Sequence, residues 1–146
     1  MTTLNEILLE KAGSPLFAID QGASVLDAVK MMNECSVGAL IVKQAGQMSG
    51  IFTERDVLRR VLGQRLDPAN VPVAQVMTEH VICCTPATSI EEARELMRSR
   101  RVRHLPILDA EGEVVGVVSI GDLNAHLTTH QEVTIHHLHE YLHGRV

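Results

Sequence analysis

Two stretches of the chain share one pattern of apolar and polar positions. Each begins at a serine, Ser24 or Ser89, that is followed three residues later by an acid, Asp27 or Glu92. This arrangement is typical of a capping box at the start of a helix. Behind each serine, apolar residues recur at helical spacing, which predicts two equivalent amphipathic helices. The apolar residues are Val25, Ala28, Met31 and Met32 in the first stretch and Ile90, Ala93, Leu96 and Met97 in the second.

Two short apolar strands follow each predicted helix. A turn that contains glycine joins the strands of each pair, which is typical of a hairpin. The first strands cover residues 37–42 and 102–107, and the second strands begin at Gly50 and Gly116. With a strand before each helix and a helix after each hairpin, the chain repeats one β-α-β-β-α unit. Because two strands alone bury too little surface, we expect the two copies to pack around one shared core.

Each second strand ends in a hydroxyl residue with an aspartate three positions later. The pairs are Thr53 with Asp56 and Ser119 with Asp122. Helix capping alone would explain either pair, because the hydroxyl accepts from a backbone N–H and an acid is favourable in the first helical turn. A hydroxyl and a carboxylate at a strand–helix junction could instead hold a ligand. The duplication of the pair favours a binding role, and the two interpretations are compatible.

Short segments with turn residues divide the chain. Residues 4–11 have the pattern of a leading helix for the first copy, and residues 73–77 that of a short helix for the second. The segment between the copies contains turn residues and no long apolar run. The predicted divisions are a leading helix at 1–15, the first repeat at 16–63, a linker at 64–75, the second repeat at 76–127 and a C-terminal helix at 128–146.

Composition narrows the class of protein. The chain has 146 residues, of which 45% are hydrophobic and 21% charged, as is ordinary for a soluble globular protein. A net charge of −5 and only Phe17, Phe52 and Tyr141 as aromatic residues argue against nucleic-acid binding. No apolar stretch reaches the length of a membrane span, and the first residues lack a signal-peptide core. We therefore expect a cytoplasmic protein that does not contact a membrane.

Candidate catalytic and metal-ligating groups are few. Cys35, Cys83 and Cys84 are odd in number and lack the spacing of a disulfide framework or a Cys-x-x-Cys site. Without a recognisable Ser-His-Asp or Cys-His spacing or a Walker A loop, we expect no enzymatic activity. We expect the His-rich C-terminal stretch to be a helix with solvated histidines, and metal binding there is the lesser alternative. Its side chains at helical spacing are His136, His139, Glu140 and His143.

The repeated unit resembles a tandem CBS-domain pair, also called a Bateman module. The resemblance rests on "GIFTERDV" in the first copy, on "RVRHLPILD" and "GVVSIGDL" in the second, and on "VMT" before the second. It covers about residues 16–127 and is similar in layout to bacterial CBS-pair proteins that stand alone. It implies an α/β fold in which two pseudo-symmetric β-α-β-β-α repeats pack as one module, with flanking N- and C-terminal helices.

The resemblance also implies a function. Proteins of this kind bind adenosine-containing ligands between their repeats, so the implied ligand is AMP, ADP, ATP or NAD, with S-adenosylmethionine a further candidate. No catalytic cofactor is implied. The expected protein is a non-enzymatic sensor in signal transduction, a homodimer that signals to an unknown downstream protein when ligand binding repacks its repeats. The alternative is a structural or partner-binding scaffold whose clefts are vestigial.

Two pseudo-symmetric clefts are implied, each built from both repeats. In each, the aspartate would accept the ribose hydroxyls, and the hydroxyl residue with the helix-start N–H groups would meet phosphate. We name them the Asp122 cleft and the Asp56 cleft. The implied residues of the Asp122 cleft are Ser119, Asp122, Val117, Arg103, His104, Asp20, Val25, Val37 and Gly38. Those of the Asp56 cleft are Thr53, Asp56, Ile51, Gly38, Ala39, Thr85, Ile90, Val102 and Arg103.

The implied clefts are not equivalent. Arg103 and His104 offer cationic or donor groups for phosphate in the Asp122 cleft, whereas their counterparts Gly38 and Ala39 offer none. We therefore expect the two clefts to bind with unequal affinities, without a prediction of which is tighter.

Overall fold

The structure is a computed structural model that describes residues 2–127. Its elements alternate between helices and short strands in two similar halves. The first half contains α1 (Leu4–Glu10), β1 (Ala18–Asp20), α2 (Val25–Cys35), β2 (Ala39–Gln44), β3 (Gln47–Thr53) and α3 (Glu54–Asp56, continued as a π-helix over Val57–Leu62). The second half contains α4 (Val73–Val76), α5 (Ile90–Arg100), β4 (His104–Leu108) and β5 (Val114–Ser119). A further helix, α6, covers residues 120–127.

The two predicted amphipathic helices form as the sequence indicates. The hydroxyl of Ser24 accepts a hydrogen bond from the backbone N–H of Asp27 at 3.0 Å and starts α2. Ser89 accepts from the N–H of Glu92 at 3.1 Å and donates its hydroxyl to the Glu92 carboxylate at 3.2 Å, which starts α5. Both serines are thereby confirmed as N-caps, but the acid three residues later does not accept from the serine backbone N–H, so neither pair forms the reciprocal capping box.

The hairpins place equivalent residues at equivalent positions. In the first half, β2 and β3 pair antiparallel with Ala39 opposite Thr53, and β1 lies parallel to β2. In the second half, β4 and β5 pair antiparallel with His104 opposite Ser119. A single parallel bridge from Cys84 takes the place of β1 there. His104 therefore faces the second-half hydroxyl residue from the position that Ala39 occupies in the first half.

The buried residues form two cores rather than the one shared core that the sequence predicts. The first core contains Val25, Leu40 and Phe52 from the first half together with Val73 and Val76 of α4. The second core contains second-half residues together with two from α1. The residues of the second core are Leu4, Ile7, Cys84, Ile90, Ala93, Met97, Leu105, Ile107, Val118 and Leu123.

The leading helices are therefore exchanged between the halves. The sequence assigned each to the repeat that it precedes, but each packs on the core of the other repeat. The N–H of Leu4 donates to the carbonyl of Thr88 at 2.9 Å, and the N–H of Val73 donates to that of Ala23 at 2.8 Å. This exchange joins the two cores into one module, because each half is completed by a helix from the other.

Two glycines make room for the exchanged helices. A Cβ atom at Gly116 would lie 2.6 Å from Cδ2 of Leu8 in α1. A Cβ atom at Gly50, the matching position, would lie 2.7 Å from the carbonyl oxygen of Thr78 and 2.8 Å from the sulfur of Met77. The glycines of the repeated motif thus permit close approach of a strand to the segment that crosses it.

Candidate functional site

A cavity of about 650 Å³ lies between the two halves. This volume is within the range of small-molecule sites in proteins. Its walls come from both repeats and from the segment that connects α1 to β1. The lining residues are Leu8, residues 11–17, residues 36–39, His104, residues 115–117, Ser119 and Asp122.

Ser119 and Asp122 form a capping box on one wall of this cavity. The carboxylate of Asp122 accepts from the backbone N–H of Ser119 at 2.8 Å, and the hydroxyl of Ser119 accepts from the N–H of Asp122 at 3.0 Å. These bonds start α6 as the capping interpretation predicts. Asp122 still has 27% of its side-chain surface exposed. The carboxylate can therefore serve as a cap and face the cavity at once.

Lys11 is the cation beside this carboxylate. Its ammonium nitrogen lies 3.0 Å from Oδ2 of Asp122 and donates to the carbonyl of Val117 at 2.8 Å. The side chain of Lys11 is 40% exposed. The ion pair joins the end of α1 to the first turn of α6 across the cavity wall.

His104 is the second nitrogen-bearing side chain on the wall. Burial lowers its pKa below the ordinary value, against the opposing effects of the Glu54 and Asp122 carboxylates, while Lys11 and Arg103 lower it further. The imidazole is therefore mainly neutral near pH 7. A Cβ atom at Gly38 would lie 3.2 Å from Oε1 of Glu54 and 3.4 Å from the His104 ring, so glycine leaves room for the Glu54 carboxylate and the imidazole beside the first-half main chain.

Asp56 occupies the matching position in the other half, but its surroundings differ. Its side chain is only 7% exposed. It accepts from the N–H of Thr53 at 3.0 Å and from the hydroxyls of Thr53 at 3.2 Å and Thr78 at 3.1 Å. Nε of Arg60 lies 3.5 Å from the carboxylate. Thr78 is held there because its backbone exchanges hydrogen bonds with Ile51 at 3.0 and 2.9 Å.

An arginine spans the Asp56 cleft as well. Arg55 donates from its guanidinium to the carbonyl of Arg101, the C-cap residue that follows α5. The matching residue in the second motif is Gly121, which has no side chain to span the cavity. Ser36, the matching C-cap residue after α2, lines the cavity. The first motif therefore carries a bridging side chain where the second carries none.

The cavity gathers part of the residue set implied for the Asp122 cleft. The residues of that set that line it are Val37, Gly38, His104, Val117, Ser119 and Asp122, and Ala39, implied for the Asp56 cleft, lines it as well. Three others implied for this cleft lie elsewhere. Val25 is fully buried in the first core, Arg103 is exposed, and Asp20 accepts from the N–H of Gly22 at 2.8 Å.

The set implied for the Asp56 cleft is spread over several environments. Ile51 and Asp56 are buried, and Thr53 lies half-buried beside them. Ile90 lies in the second core, and Val102 packs against it. Thr85 is exposed and donates its N–H to the hydroxyl of Thr88 at 3.1 Å.

Sequence reasoning missed the contribution of the N-terminal segment. Lys11 and the residues up to Phe17 line the cavity only because α1 packs on the second repeat. The equal spacing of Leu4 and Ile7 in α1 and of Val73 and Val76 in α4 marked the two helices as equivalent, but it did not indicate which repeat each one completes.

Neither a metal-binding cluster nor a membrane-spanning helix occurs in the described part of the chain. Within residues 2–127, no group of 3 or more His, Cys, Asp or Glu side chains could hold a metal ion. The His-rich stretch that includes His136, His139, Glu140 and His143 lies outside the described residues. No helix in the described part of the chain has the length and apolar character needed to cross a membrane.

Comparisons with known proteins agree with this architecture. The CBS-domain family model matches residues 9–63 and 73–128. The CBS domain-containing protein CBSX3, mitochondrial, from Arabidopsis thaliana is 34% identical over 152 residues, which cover 98% of this chain and 73% of that protein.

Two solved structures extend the comparison. A protein with CBS domains from Burkholderia ambifaria has a TM-score of 0.83 and 37% identity, covering 89% of this chain and 96% of that one. A CBS domain protein from Pyrobaculum aerophilum, solved in complex with AMP, has a TM-score of 0.72 and 24% identity over 82% of this chain and 88% of that one. The second likeness shows a common fold.

Proposed function

This chain belongs to the CBS-domain family, and on that premise we propose that it is a non-enzymatic regulatory module that binds an adenine nucleotide between its two repeats. One observation carries the proposal: the 650 Å³ cavity brings Ser119, Asp122 and Lys11 together beside main chain from the other repeat. The AMP complex of the Pyrobaculum aerophilum protein supports this choice of ligand class. AMP, ADP, ATP and NAD are the candidate ligands.

The polar groups of the cavity suit the parts of a nucleotide. Oδ1 of Asp122 takes no part in the bonds to Ser119 and Lys11, so it can accept from a ribose hydroxyl. The Ser119 hydroxyl and the N-terminal turn of α6 provide donors and a positive dipole end for phosphate. Leu16 and Val37 offer apolar surface for the adenine ring.

Signalling follows from the location of the cavity between the repeats. A ligand that contacts both repeats favours the arrangement in which both contacts are made, and so shifts the population toward it. A downstream protein would read that arrangement. We also propose a homodimer, because Leu58 and Leu62 lie one turn apart on the helical segment after Asp56 and are 64% and 58% exposed. Apolar surface of this kind suits a contact with a second copy.

A scaffold without nucleotide is the second candidate function. The hydrogen bonds that Asp56 receives inside the protein favour it, because they show that this motif can serve the fold alone. The same motif in the Asp122 cleft would then be a helix cap and nothing more.

A thermal-shift panel separates the two functions. AMP, ADP, ATP, NAD, S-adenosylmethionine and GTP are each added to the unaltered chain, to Asp122→Asn and to the control Asp27→Asn. At one hundred times the dissociation constant, a ligand stabilises the folded state by about 2.7 kcal/mol. For a chain of this size, the melting temperature then rises by roughly 5–10 °C.

We expect at least one adenine nucleotide to raise the melting temperature of the unaltered chain. The variant Asp27→Asn should show the same rise, and Asp122→Asn should not. Asp27 is a suitable control because it is an exposed acid in the first turn of α2 and loses the same charge. No rise with any nucleotide would favour the scaffold and contradict the proposal.

A further inference from the structure

We propose that Lys11 recognises the phosphate of a nucleoside monophosphate, and that the ligand separates Lys11 from Asp122 when it binds. This inference rests on the proposed function and adds to it a ligand class and a specificity-determining residue. Neither the repeated motif nor the comparisons assign a role to Lys11.

Lys11 is held in place by the packing of α1. Leu4 and Ile7 bury α1 in the second core, and the N–H of Lys11 donates to the carbonyl of Ile7 at 3.0 Å. A hydrogen bond of 3.1 Å between His126 and Glu10 joins α1 to α6 one residue before Lys11. The backbone that carries Lys11 is thus fixed by packing, and its ammonium group is held over the cavity wall by the Val117 carbonyl and the Asp122 carboxylate.

The charges of the cavity wall single out Lys11. Among the lining residues within the described chain, the ionisable side chains are Lys11, His104 and Asp122. Burial keeps His104 mainly neutral, and Arg103, the cation expected to meet phosphate, is exposed and does not line the cavity. Lys11 is therefore the fully charged cation among the cavity-lining residues that a bound phosphate would contact.

The ion pair with Asp122 sets up an exchange of partners. A ribose that donates both hydroxyls to Asp122 uses Oδ2 as well as Oδ1, and so competes with the Lys11 ammonium, which is bonded to Oδ2. A nucleoside without phosphate would take this partner from Lys11 and return no anion. A monophosphate supplies a new anion for Lys11 while its ribose takes Asp122, so each charged group keeps a partner. A single lysine matches one phosphate, so further phosphates should add no affinity.

Calorimetric titration of adenosine, AMP and ATP tests the inference. The variants are Lys11→Met, Lys11→Arg and the control Lys30→Met, which removes an exposed lysine on α2. We expect the unaltered chain to bind AMP about tenfold tighter than adenosine, and ATP no tighter than AMP. In Lys11→Met, the affinity for AMP should fall about tenfold, whereas the affinity for adenosine should not fall, because the ammonium no longer competes for Asp122. Lys11→Arg should restore most of the preference, and Lys30→Met should behave as the unaltered chain.

The outcomes separate this inference from the proposed function. If the unaltered chain binds AMP but Lys11→Met leaves it unchanged, or weakens adenosine equally, the role of Lys11 is overturned while the proposed function stands. If the unaltered chain binds ATP but not AMP, the inference is overturned while the proposed function stands, and if it binds no adenine nucleotide of the thermal-shift panel, both are overturned. A salt series on the unaltered chain gives a test that needs no variant: AMP affinity should fall with ionic strength, and adenosine affinity should not. Parallel salt dependence for both ligands would also overturn the role of Lys11.

Discussion

The two clefts of this protein carry the same motif in different surroundings. Asp56 and Asp122 each close a capping box with the hydroxyl residue three positions before them. Asp56 is 7% exposed and receives a further hydroxyl from Thr78, whereas Asp122 is 27% exposed and faces a cavity beside Lys11. The motif is therefore first a helix cap, and its neighbours decide whether the carboxylate remains available to a ligand.

The difference originates in the segments that follow the exchanged helices. After α4, Thr78 pairs with the backbone of Ile51 and covers Asp56. After α1, the chain turns away at Gly13, which adopts a φ of +89°, and leaves the side chain of Lys11 to contact Asp122. One connection thus adds a bridge to the sheet, and the other forms a cavity wall.

The largest expected effect is on ligand affinity. Asp122→Ala should weaken the binding of AMP by about 100-fold, because two ribose hydrogen bonds to a charged group contribute roughly 3 kcal/mol or more to the binding free energy. Asp56→Ala should leave AMP affinity within about threefold, because Asp56 is already bonded within the protein. Calorimetric titration of both variants provides the measurement. A loss of affinity in Asp56→Ala equal to that in Asp122→Ala would show that the clefts are alike.

Stability should respond in the opposite order. Asp56→Ala leaves the Thr53 N–H and the Thr78 hydroxyl without their buried acceptor, so it should lower the free energy of unfolding by about 2–4 kcal/mol. Asp122→Ala removes a more exposed cap and ion pair and should cost about 1 kcal/mol. Urea unfolding of both variants tests this order. Equal losses would mean that burial of the carboxylate does not distinguish the two motifs.

The matching glycines offer a smaller contrast. Gly50→Ala places a Cβ atom 2.7 Å from a backbone oxygen that can move little, so it should cost about 1–3 kcal/mol. At Gly116, the obstacle is the end of the Leu8 side chain, which can rotate at a cost of about 1 kcal/mol or less. Denaturant unfolding of the two variants measures the difference. A greater loss at Gly116 would contradict the account of how the leading helices pack.

The smallest expected effect is on the pH dependence of the free energy of unfolding, and it arises from His104 in the Asp122 cleft. His104 lies there, while Ala39 holds the matching position in the first half. Because burial lowers the pKa of His104, the folded state binds its proton less tightly than the unfolded state does. The free energy of unfolding should therefore decrease as the pH falls through about 6.5, the pKa of an unperturbed histidine, and the decrease should end below the lowered pKa.

The variant His104→Gln isolates this contribution. Between pH 7.5 and 5.5, the unaltered chain should lose more stability than His104→Gln in urea unfolding. Ala39→Ser, at the matching position, provides a control that should keep the pH dependence of the unaltered chain. Identical pH profiles for the unaltered chain and His104→Gln would contradict the burial of the imidazole.

Local sequence signals predicted the repeated unit and its caps. A serine or threonine with an acid three residues later acts within one helical turn, so Ser24, Ser89, Thr53 and Ser119 could be identified without knowledge of the fold. The apolar pattern of α2 also indicated that Val25 is buried in the core. It shares the apolar face with Ala28 and lies in the core, although the family resemblance implied a place in the cleft.

The contacts that distinguish the clefts depend on packing between distant segments. Lys11 contacts Asp122 because α1 crosses to the other repeat, and Thr78 contacts Asp56 because α4 does the same. Arg55 offers a similar case, since its bond to Arg101 connects one repeat to the other. Sequence periodicity describes the faces of single elements, and it carries no information on which repeat an exchanged helix will complete.

The number of nucleotides bound per chain tests the central claim most directly. Equilibrium dialysis of the unaltered protein against radiolabelled AMP, at concentrations well above the dissociation constant, counts the sites without any substitution. The account predicts one AMP per chain, held in the Asp122 cleft. Two AMP per chain would show that the Asp56 cleft also binds, and none would show that neither cleft binds AMP.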